Sequence, residues 1–375
     1  MPGLRISTVM KKIDMKKYLF VLACVLTIVG CKQKQGQTEG DAAATDSVQT
    51  TQTDSVQGML KPAEIGSRWT NKTIHVADGG EQPDIMALLK AFHVAWPTEP
   101  ANLLLGMAAD KVTRQLNRDT GGGMEIDYKN GFATVQPGDT DEDRLFATVW
   151  KRPNGHRLFG IWLYTPSADN RSKADGEALC FYDYDPKTET MVPEKDNVIL
   201  KFQPSKDCYL QYKFPDMGRD MVVGETDKNA ITKWHVFAYD GTTFKEETAY
   251  TDDELRDAAV GLWKSTDPKL PLTFRVSIDE EDWPQVTDCR IYGVEDWECA
   301  ASPYEGFFYV IEQNPKGYLD DDEEESNFKP SLNCAFLLTK DGRLRGGYHM
   351  MLPSGKEHNG IMTMVKQSQL NDYAE

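Results

Sequence analysis

The feature that most constrains the fold of this chain is a recurring pair of apolar runs joined by a tight-turn signal. Runs rich in aromatic and β-branched residues are interrupted by Asn-Gly at residues 130–131 and 154–155. The same arrangement recurs around residues 185–186 (Asp-Pro), 240–241 (Asp-Gly) and 341–342 (Asp-Gly). Asn-Gly and Asp-Gly readily adopt the positive φ angles of hairpin turns. Each pair of runs therefore predicts two antiparallel strands joined by a tight turn.

Helical periodicity marks only a few segments. In residues 83–96, apolar side chains recur at helical spacing, and Pro83 suits a first helical turn. In residues 251–263, Thr251 and Glu254 form the signature of a capping box. A shorter helix is expected around residues 102–109.

Together these patterns predict an α+β, β-rich fold, in which antiparallel sheets built from hairpins pack with two or three amphipathic helices. Repeated strand, turn and strand units are also typical of a propeller, so an irregular β-propeller is the alternative. The polar run before Thr251 predicts a boundary there. The expected domains are a β-rich domain over residues 60–250 and a smaller α+β domain over residues 251–375.

The N-terminal segment has the organisation of an export signal. Lys16 and Lys17 precede the apolar run of residues 18–30, which is much shorter than the roughly 20 residues that a membrane-spanning helix needs. The residues before Cys31, Ile28-Val29-Gly30, resemble the lipobox of bacterial lipoproteins. An ordinary secretory signal followed by a coincidental cysteine is the alternative. Residues 1–30 are therefore predicted to be a signal peptide, with Met15 as the expected true start.

The lipobox resemblance implies a lipid anchor. In that family the cysteine thiol receives a diacylglycerol, cleavage precedes the cysteine, and the new amino group is acylated, commonly with palmitate. Cys31 would then be the first residue of a protein held to the membrane by several acyl chains. The first 57 residues resemble those of Bacteroidota envelope lipoproteins, which implies the outer membrane. In that phylum, lipoproteins displayed on the cell surface carry an acidic cluster close behind the lipidated cysteine. Residues 32–35 carry no acid, which favours the periplasmic face, with surface exposure as the alternative.

Residues 31–59 are predicted to form a disordered tether, because they contain almost no large apolar side chains. The sequence TDSVQ occurs twice, at residues 45–49 and 53–57. Ser47 and Ser55 both lie in a triplet that resembles the acceptor of the O-glycosylation system of Bacteroidota. A low-complexity duplication is the alternative to two O-glycosylation sites.

Charge limits the partners of this chain. The formal net charge of −17 repels phosphates, so no nucleic acid is expected as a partner. Removal of residues 1–30 takes away five basic residues and one acidic residue, which moves the formal charge from −17 to −21. The predicted partners are the membrane, through the lipid anchor, and a protein or glycan ligand.

Cysteines and motifs give no catalytic or cofactor assignment. Five cysteines remain beyond Cys31, and an odd number leaves at least one thiol unpaired within the chain. Bridges between Cys289 and Cys299 or between Cys180 and Cys208 are one alternative, and buried free thiols are the other. The sequence has no C-x-x-C, H-E-x-x-H, P-loop or G-x-S-x-G motif, so no metal site, cofactor or catalytic residue is predicted.

The most suggestive constellation is a carboxylate beside an indole, repeated 14 residues apart. The two pairs are Asp282 with Trp283 and Asp296 with Trp297. Indoles stack on the apolar faces of sugars and carboxylates accept hydrogen bonds from sugar hydroxyls, so these residues are the candidate ligand site. Core tryptophans beside surface acids are the alternative.

Three hypotheses for the function follow. The first is a non-enzymatic envelope lipoprotein that binds a protein or a glycan. The second is a glycan hydrolase that uses carboxylates. The third is a structural or assembly factor of the outer membrane.

Overall fold

The chain folds into a helical layer, two antiparallel sheets and a closed β-barrel, so the predicted β-rich α+β fold is confirmed and the structure is not a propeller. The computed structural model describes residues 58–77, 79–117, 122–138, 142–168, 173–215, 218–227, 230–291, 294–315, 331–351 and 356–367. Residues 58–375 belong to one unit. The predicted domain division at residues 250 and 251 stays a prediction.

The described residues contain five α-helices. They are α1 (Pro62–Gly66), α2 (Ile85–Ala95), α3 (Glu99–Ala109), α4 (Val198–Lys201) and α5 (Asp252–Ala259). Helix α2 confirms the first helical prediction, and α3 confirms the shorter one. Helix α5 confirms the second only as far as Ala259, because residues 261–263 of that segment lie in a strand. The Asp84 side chain caps α2 by accepting the Ala87 N–H at 2.8 Å, so Pro83 precedes the cap instead of lying in the first turn.

The predicted capping box of α5 is present. The Glu254 N–H donates to Thr251 Oγ1 at 3.1 Å, and the Thr251 N–H donates to Glu254 Oε2 at 2.8 Å. These two bonds satisfy backbone donors that the first helical turn leaves without partners.

The first sheet, sheet A, has eight antiparallel strands in the order β1-β8-β7-β6-β5-β4-β3-β2. They are β1 (Ile74–His75), β2 (Arg114–Asn117), β3 (Gly122–Asp127), β4 (Phe132–Gln136), β5 (Arg144–Lys151), β6 (Arg157–Pro166), β7 (Ala174–Asp185) and β8 (Thr190–Pro193). The predicted hairpin turns have Gly131 at φ +69° and Gly155 at φ +86°. Both glycines therefore adopt the left-handed conformation that these turns require.

The second sheet, sheet B, has four antiparallel strands in the order β12-β11-β10-β9. They are β9 (Tyr209–Lys213), β10 (Met221–Thr226), β11 (Ile231–Tyr239) and β12 (Phe244–Tyr250). The face of sheet A that carries Ile161 packs in a buried cluster with α2, and the opposite face, which carries Trp150, packs with Phe237 of sheet B. Trp234 and Val236, on the other face of sheet B, belong to the core of the barrel.

Eight antiparallel strands close the barrel. They are β13 (Gly261–Ser265), β14 (Leu272–Ile278), β15 (Pro284–Ile291), β16 (Val294–Tyr304), β17 (Phe307–Pro315), β18 (Ser331–Leu338), β19 (Leu344–Met351) and β20 (Glu357–Lys366). Pairing of Trp263 with Lys366 joins the first strand to the last. Large side chains such as Phe274, Phe308 and Phe336 are buried in its core.

The five cysteines beyond Cys31 all carry free thiols. Neither Cys289 with Cys299 nor Cys180 with Cys208 forms a bridge. Cys208 is partly exposed, and the other four cysteines are buried. Burial raises the pKa of the Cys180 and Cys334 thiols, which keeps these thiols protonated and unreactive.

Candidate functional site

The first predicted tryptophan lies in a tight turn of the barrel, between β14 and β15. Asp279 organises this turn: its Oδ1 accepts the N–H of Glu281 at 2.9 Å and the N–H of Trp283 at 2.8 Å. The Asp279 N–H in turn donates to the Trp283 carbonyl at 2.9 Å. The donation from the Trp283 N–H stabilises the carboxylate and holds the pKa of Asp279 below its usual range. The turn that presents Trp283 is therefore fixed by hydrogen bonds that its backbone N–H groups donate within the turn.

Trp283 is exposed, with 42% of its surface accessible. The neighbouring Asp282 has φ +67°, a left-handed conformation that aspartate tolerates better than most residues. Its carboxylate accepts a hydrogen bond from Arg256 Nη1 at 3.0 Å. Arg256, on α5, also contacts Asp253 at 3.2 Å and Asp257 at 2.9 Å. An accessible indole thus lies next in sequence to a carboxylate that a guanidinium holds in place.

The second predicted pair lies on β16, and the side chains of Asp296 and Trp297 are outside the described residues. The backbone of Trp297 pairs with that of Cys289 on β15. Cys289 is six residues beyond Trp283, which is roughly 20 Å along an extended strand. The two indole and carboxylate pairs thus stand at separate points of the barrel backbone.

Three other predicted sites, Cys31, Ser47 and Ser55, lie outside the described residues. Lipid attachment and O-glycosylation there stay predictions.

A group of aromatic residues on sheet A was not predicted from the sequence. Phe146 on β5 pairs directly with Trp162 on β6, and Tyr164 follows two residues later on the same face. Ring centroids are 4.0 Å apart for Trp162 and Tyr164 and 5.8 Å apart for Phe146 and Trp162. The hairpin turn at residues 154–155 sets this register. The alternation of inward and outward side chains on the two strands could therefore have predicted that these aromatic residues share one face.

An open groove of about 420 Å³ lies between α3 and strands β2 and β3. Leu103, Met107, Val112 and Met124 line its apolar part, and Asp110 is its one acidic residue. Carboxylate-based hydrolysis requires two carboxyl groups, so this groove gives no support to the hydrolase hypothesis.

Within the described ranges, no group of three or more His, Cys, Asp or Glu side chains is arranged to hold a metal ion. None of the helices described above combines the length and the apolar character needed to cross a membrane. Comparisons of the chain with protein-family models, with curated proteins and with solved structures gave no match.

Proposed function

We propose that this protein is a lipid-anchored envelope protein that binds a neutral glycan through the turn that carries Trp283. The anchor is Cys31, and its support is the lipobox resemblance of the residues that precede it. The resemblance favours an outer-membrane lipoprotein on the periplasmic side. The single observation that carries the binding function is the exposed indole of Trp283 beside the held carboxylate of Asp282.

The chemistry of the turn favours a sugar. The indole face supplies an apolar surface for the C–H groups of a pyranose ring, and Asp282 retains acceptor positions for hydroxyl groups. Its hydrogen bond to Arg256 fixes the carboxylate, so less conformational entropy is lost on binding.

The charge of the turn selects a neutral ligand. Glu280 and Glu281 lie in the same turn as Asp282, and Asp253 and Asp257 surround Arg256. A sulfated or uronic acid glycan would meet repulsion from these carboxylates. A neutral glycan avoids that repulsion and still uses the carboxylates as acceptors.

Affinity electrophoresis tests this function with the full-length lipidated chain in a detergent that has no sugar headgroup. Gels containing neutral polysaccharides should retard the wild-type protein. Trp283→Ala should weaken binding about tenfold, because loss of one aromatic stacking contact costs up to about 1.5 kcal/mol.

Ile361→Ala is the matched control, because Ile361 is also on the barrel and is 50% exposed. It should migrate like the wild type. Asp282→Asn replaces the carboxylate with an uncharged amide of the same shape, and asparagine also tolerates the left-handed conformation. This variant should weaken binding less than Trp283→Ala. Equal retardation of Trp283→Ala and wild type, or no retardation of the wild type by any neutral glycan, would reject the proposal.

A further inference from the structure

The hairpin that joins β5 to β6 concentrates basic residues in an otherwise acidic chain. Its sequence over residues 151–157 is Lys-Arg-Pro-Asn-Gly-His-Arg. Arg152 and His156 lie on the face of sheet A that packs against sheet B. Lys151 and Arg157 lie on the opposite face, which packs against α2. The hairpin therefore presents one basic pair on each face of the sheet.

The pair on the sheet B side is surrounded by carboxylates of the protein itself. Arg152 donates to Asp183 on β7 and to Glu194, which follows β8. His156 Nδ1 lies 2.6 Å from Asp183 Oδ2. These contacts show how the fold normally treats a basic group at this hairpin: it places an acid within hydrogen-bond distance.

Arg157, on the α2 side, has no such acid. Only 8% of its surface is accessible, yet among the described residues its guanidinium has no hydrogen bond and no ion pair. None of its nitrogens is sealed from solvent, so the guanidinium remains reachable. A charged side chain buried to this degree almost always has a partner of opposite charge. The surroundings of Arg157 therefore suit an anionic ligand.

Lys151 brings a second cation to the same place. It stands directly opposite Arg157 in the register of β5 and β6, so the two Cβ atoms are about 4.5–5.5 Å apart. Lys151 is exposed, and within the described ranges its ammonium also has no carboxylate partner. Like charges directly opposite each other destabilise a sheet. An anion that contacts both groups would remove this repulsion.

The neighbouring strand holds the stem of Arg157 in place. Tyr184 on β7 stands directly opposite Arg157 on its other side and is fully buried. Its hydroxyl donates to the Gly80 carbonyl at 2.6 Å, and Glu189 Oε1 accepts the Gly80 N–H at 3.1 Å. Glu189 is thus engaged by backbone and forms no ion pair with Arg157. Because the stem is enclosed, little conformational entropy is lost when the guanidinium binds a ligand.

From this juxtaposition we infer that Arg157 and Lys151 bind a phosphate group at the α2 face of sheet A. The planar guanidinium donates two parallel N–H groups to two phosphate oxygens, and the ammonium donates to a third. A phosphate monoester carries a charge of about −1.5 to −2 at pH 7, which offsets the two cations. A neutral sugar would leave both charges uncompensated. The site does not depend on the turn that carries Trp283.

The net negative charge of the chain does not prevent this binding. Carboxylates more than about 8 Å from the ligand are largely screened at physiological ionic strength. The two cations contact the phosphate directly, so they dominate its local interaction.

The test is calorimetric titration of the full-length protein in a nonionic detergent, with sodium chloride holding the ionic strength constant. One ligand is inorganic phosphate, and the other is dihexanoyl phosphatidic acid below its micelle concentration. The wild type should bind at least one of them. Binding of inorganic phosphate assigns the site to a free phosphate group, and binding of the lipid alone assigns it to a lipid headgroup.

Variants of the two cations locate the binding. Arg157→Met keeps most of the buried stem and should raise the dissociation constant at least tenfold, because charge-assisted hydrogen bonds are lost. Arg157→Lys keeps the charge but not the planar fork, and it should weaken binding several-fold. Lys151→Met should also weaken binding several-fold. Lys187→Met is the matched control, because Lys187 is an exposed lysine in a turn of the same sheet, and it should bind within about twofold of the wild type.

Circular dichroism establishes which variants are folded, and if Arg157→Met is not, Arg157→Lys and Lys151→Met decide the outcome. The inference is overturned if neither ligand binds the wild type at millimolar concentration. It is also overturned if the folded variants of Arg157 and Lys151 bind like the wild type. A loss in Lys187→Met equal to that in Lys151→Met would show general charge attraction and reject the site.

Discussion

The indole of Trp234 on sheet B packs directly against Gly306, in the turn between strands β16 and β17 of the barrel. A Cβ atom at Gly306 would lie 2.9 Å from Trp234 Cδ2, closer than carbon atoms can approach without a shift. The Trp234 Nε1–H donates to Asp252 Oδ1 at 2.9 Å, and the Tyr250 hydroxyl donates to the Gly306 carbonyl at 2.9 Å. Sheet B, helix α5 and the barrel therefore meet at this contact.

Gly306→Ala should destabilise the fold by about 2–4 kcal/mol, from strain at positive φ and from overpacking against the indole. Gly155→Ala is the matched control, because Gly155 has φ +86° against +83° at Gly306, but open space around its Cβ position. It should cost only about 1–2 kcal/mol. Urea unfolding measures both variants, and equal losses would show that the contact with Trp234 contributes nothing.

Local features of the fold were predictable because their causes are local. The turn at Asn130-Gly131 and the capping box of Thr251 and Glu254 each depend on a few neighbouring residues, and the structure contains both. Closure of the barrel was not predictable in this way. It requires Trp263 to pair with Lys366, and no local pattern specifies a partner so distant in the chain.

In the candidate sites, too, contacts within one hairpin were predictable and contacts between distant elements were not. The pairing of Phe146 with Trp162 follows from the register of one hairpin, whereas the contact of Tyr212 with Trp162 depends on how two sheets pack. The exposure of Trp283 likewise depends on its place in a turn of the barrel, which residue type alone does not determine.

Replacement of Arg345 should lower the stability of the fold, because this residue joins the barrel to sheet B. Arg345 on β19 donates from Nη2 to Asp220 Oδ2 at 2.6 Å and to Glu247 Oε2 at 2.8 Å. Arg345→Met leaves both carboxylates without this partner, and it should cost about 1–3 kcal/mol in urea unfolding.

The control for Arg345 is Arg275→Met. Arg275 pairs with Asp288 at 3.1 Å, with 49% and 56% of the two side chains exposed. An ion pair this exposed should contribute less than about 1 kcal/mol. An Arg345→Met variant as stable as Arg275→Met would contradict the proposed coupling of sheet B to the barrel.

His93 should make the fold less stable as the pH falls. Burial disfavours the charged imidazole and holds the pKa of His93 below 6.5, its ordinary value. Because the unfolded chain binds this proton more tightly than the folded chain, the stabilisation is complete above the ordinary pKa and is lost as pH decreases through that value toward the folded pKa.

Two measurements test the prediction for His93. Its imidazole resonances in NMR should titrate below 6.5, and the free energy of unfolding should decrease between about pH 7 and pH 5. His93→Gln, which cannot titrate, should reduce that slope. An unchanged slope in this variant would show that another group causes the loss.

Substitution of Cys31 should abolish lipid attachment. If the lipobox resemblance is correct, the diacylglycerol on the Cys31 thiol provides the anchor, with each buried methylene contributing about 0.8 kcal/mol. Cys31→Ser should lose incorporation of labelled palmitate, keep its signal peptide, and no longer appear as the mature lipidated form. Cys208→Ser is the matched control, because Cys208 is a partly exposed free thiol, and it should retain both the label and membrane association. A Cys31→Ser protein that still incorporates palmitate would contradict lipid attachment at this residue.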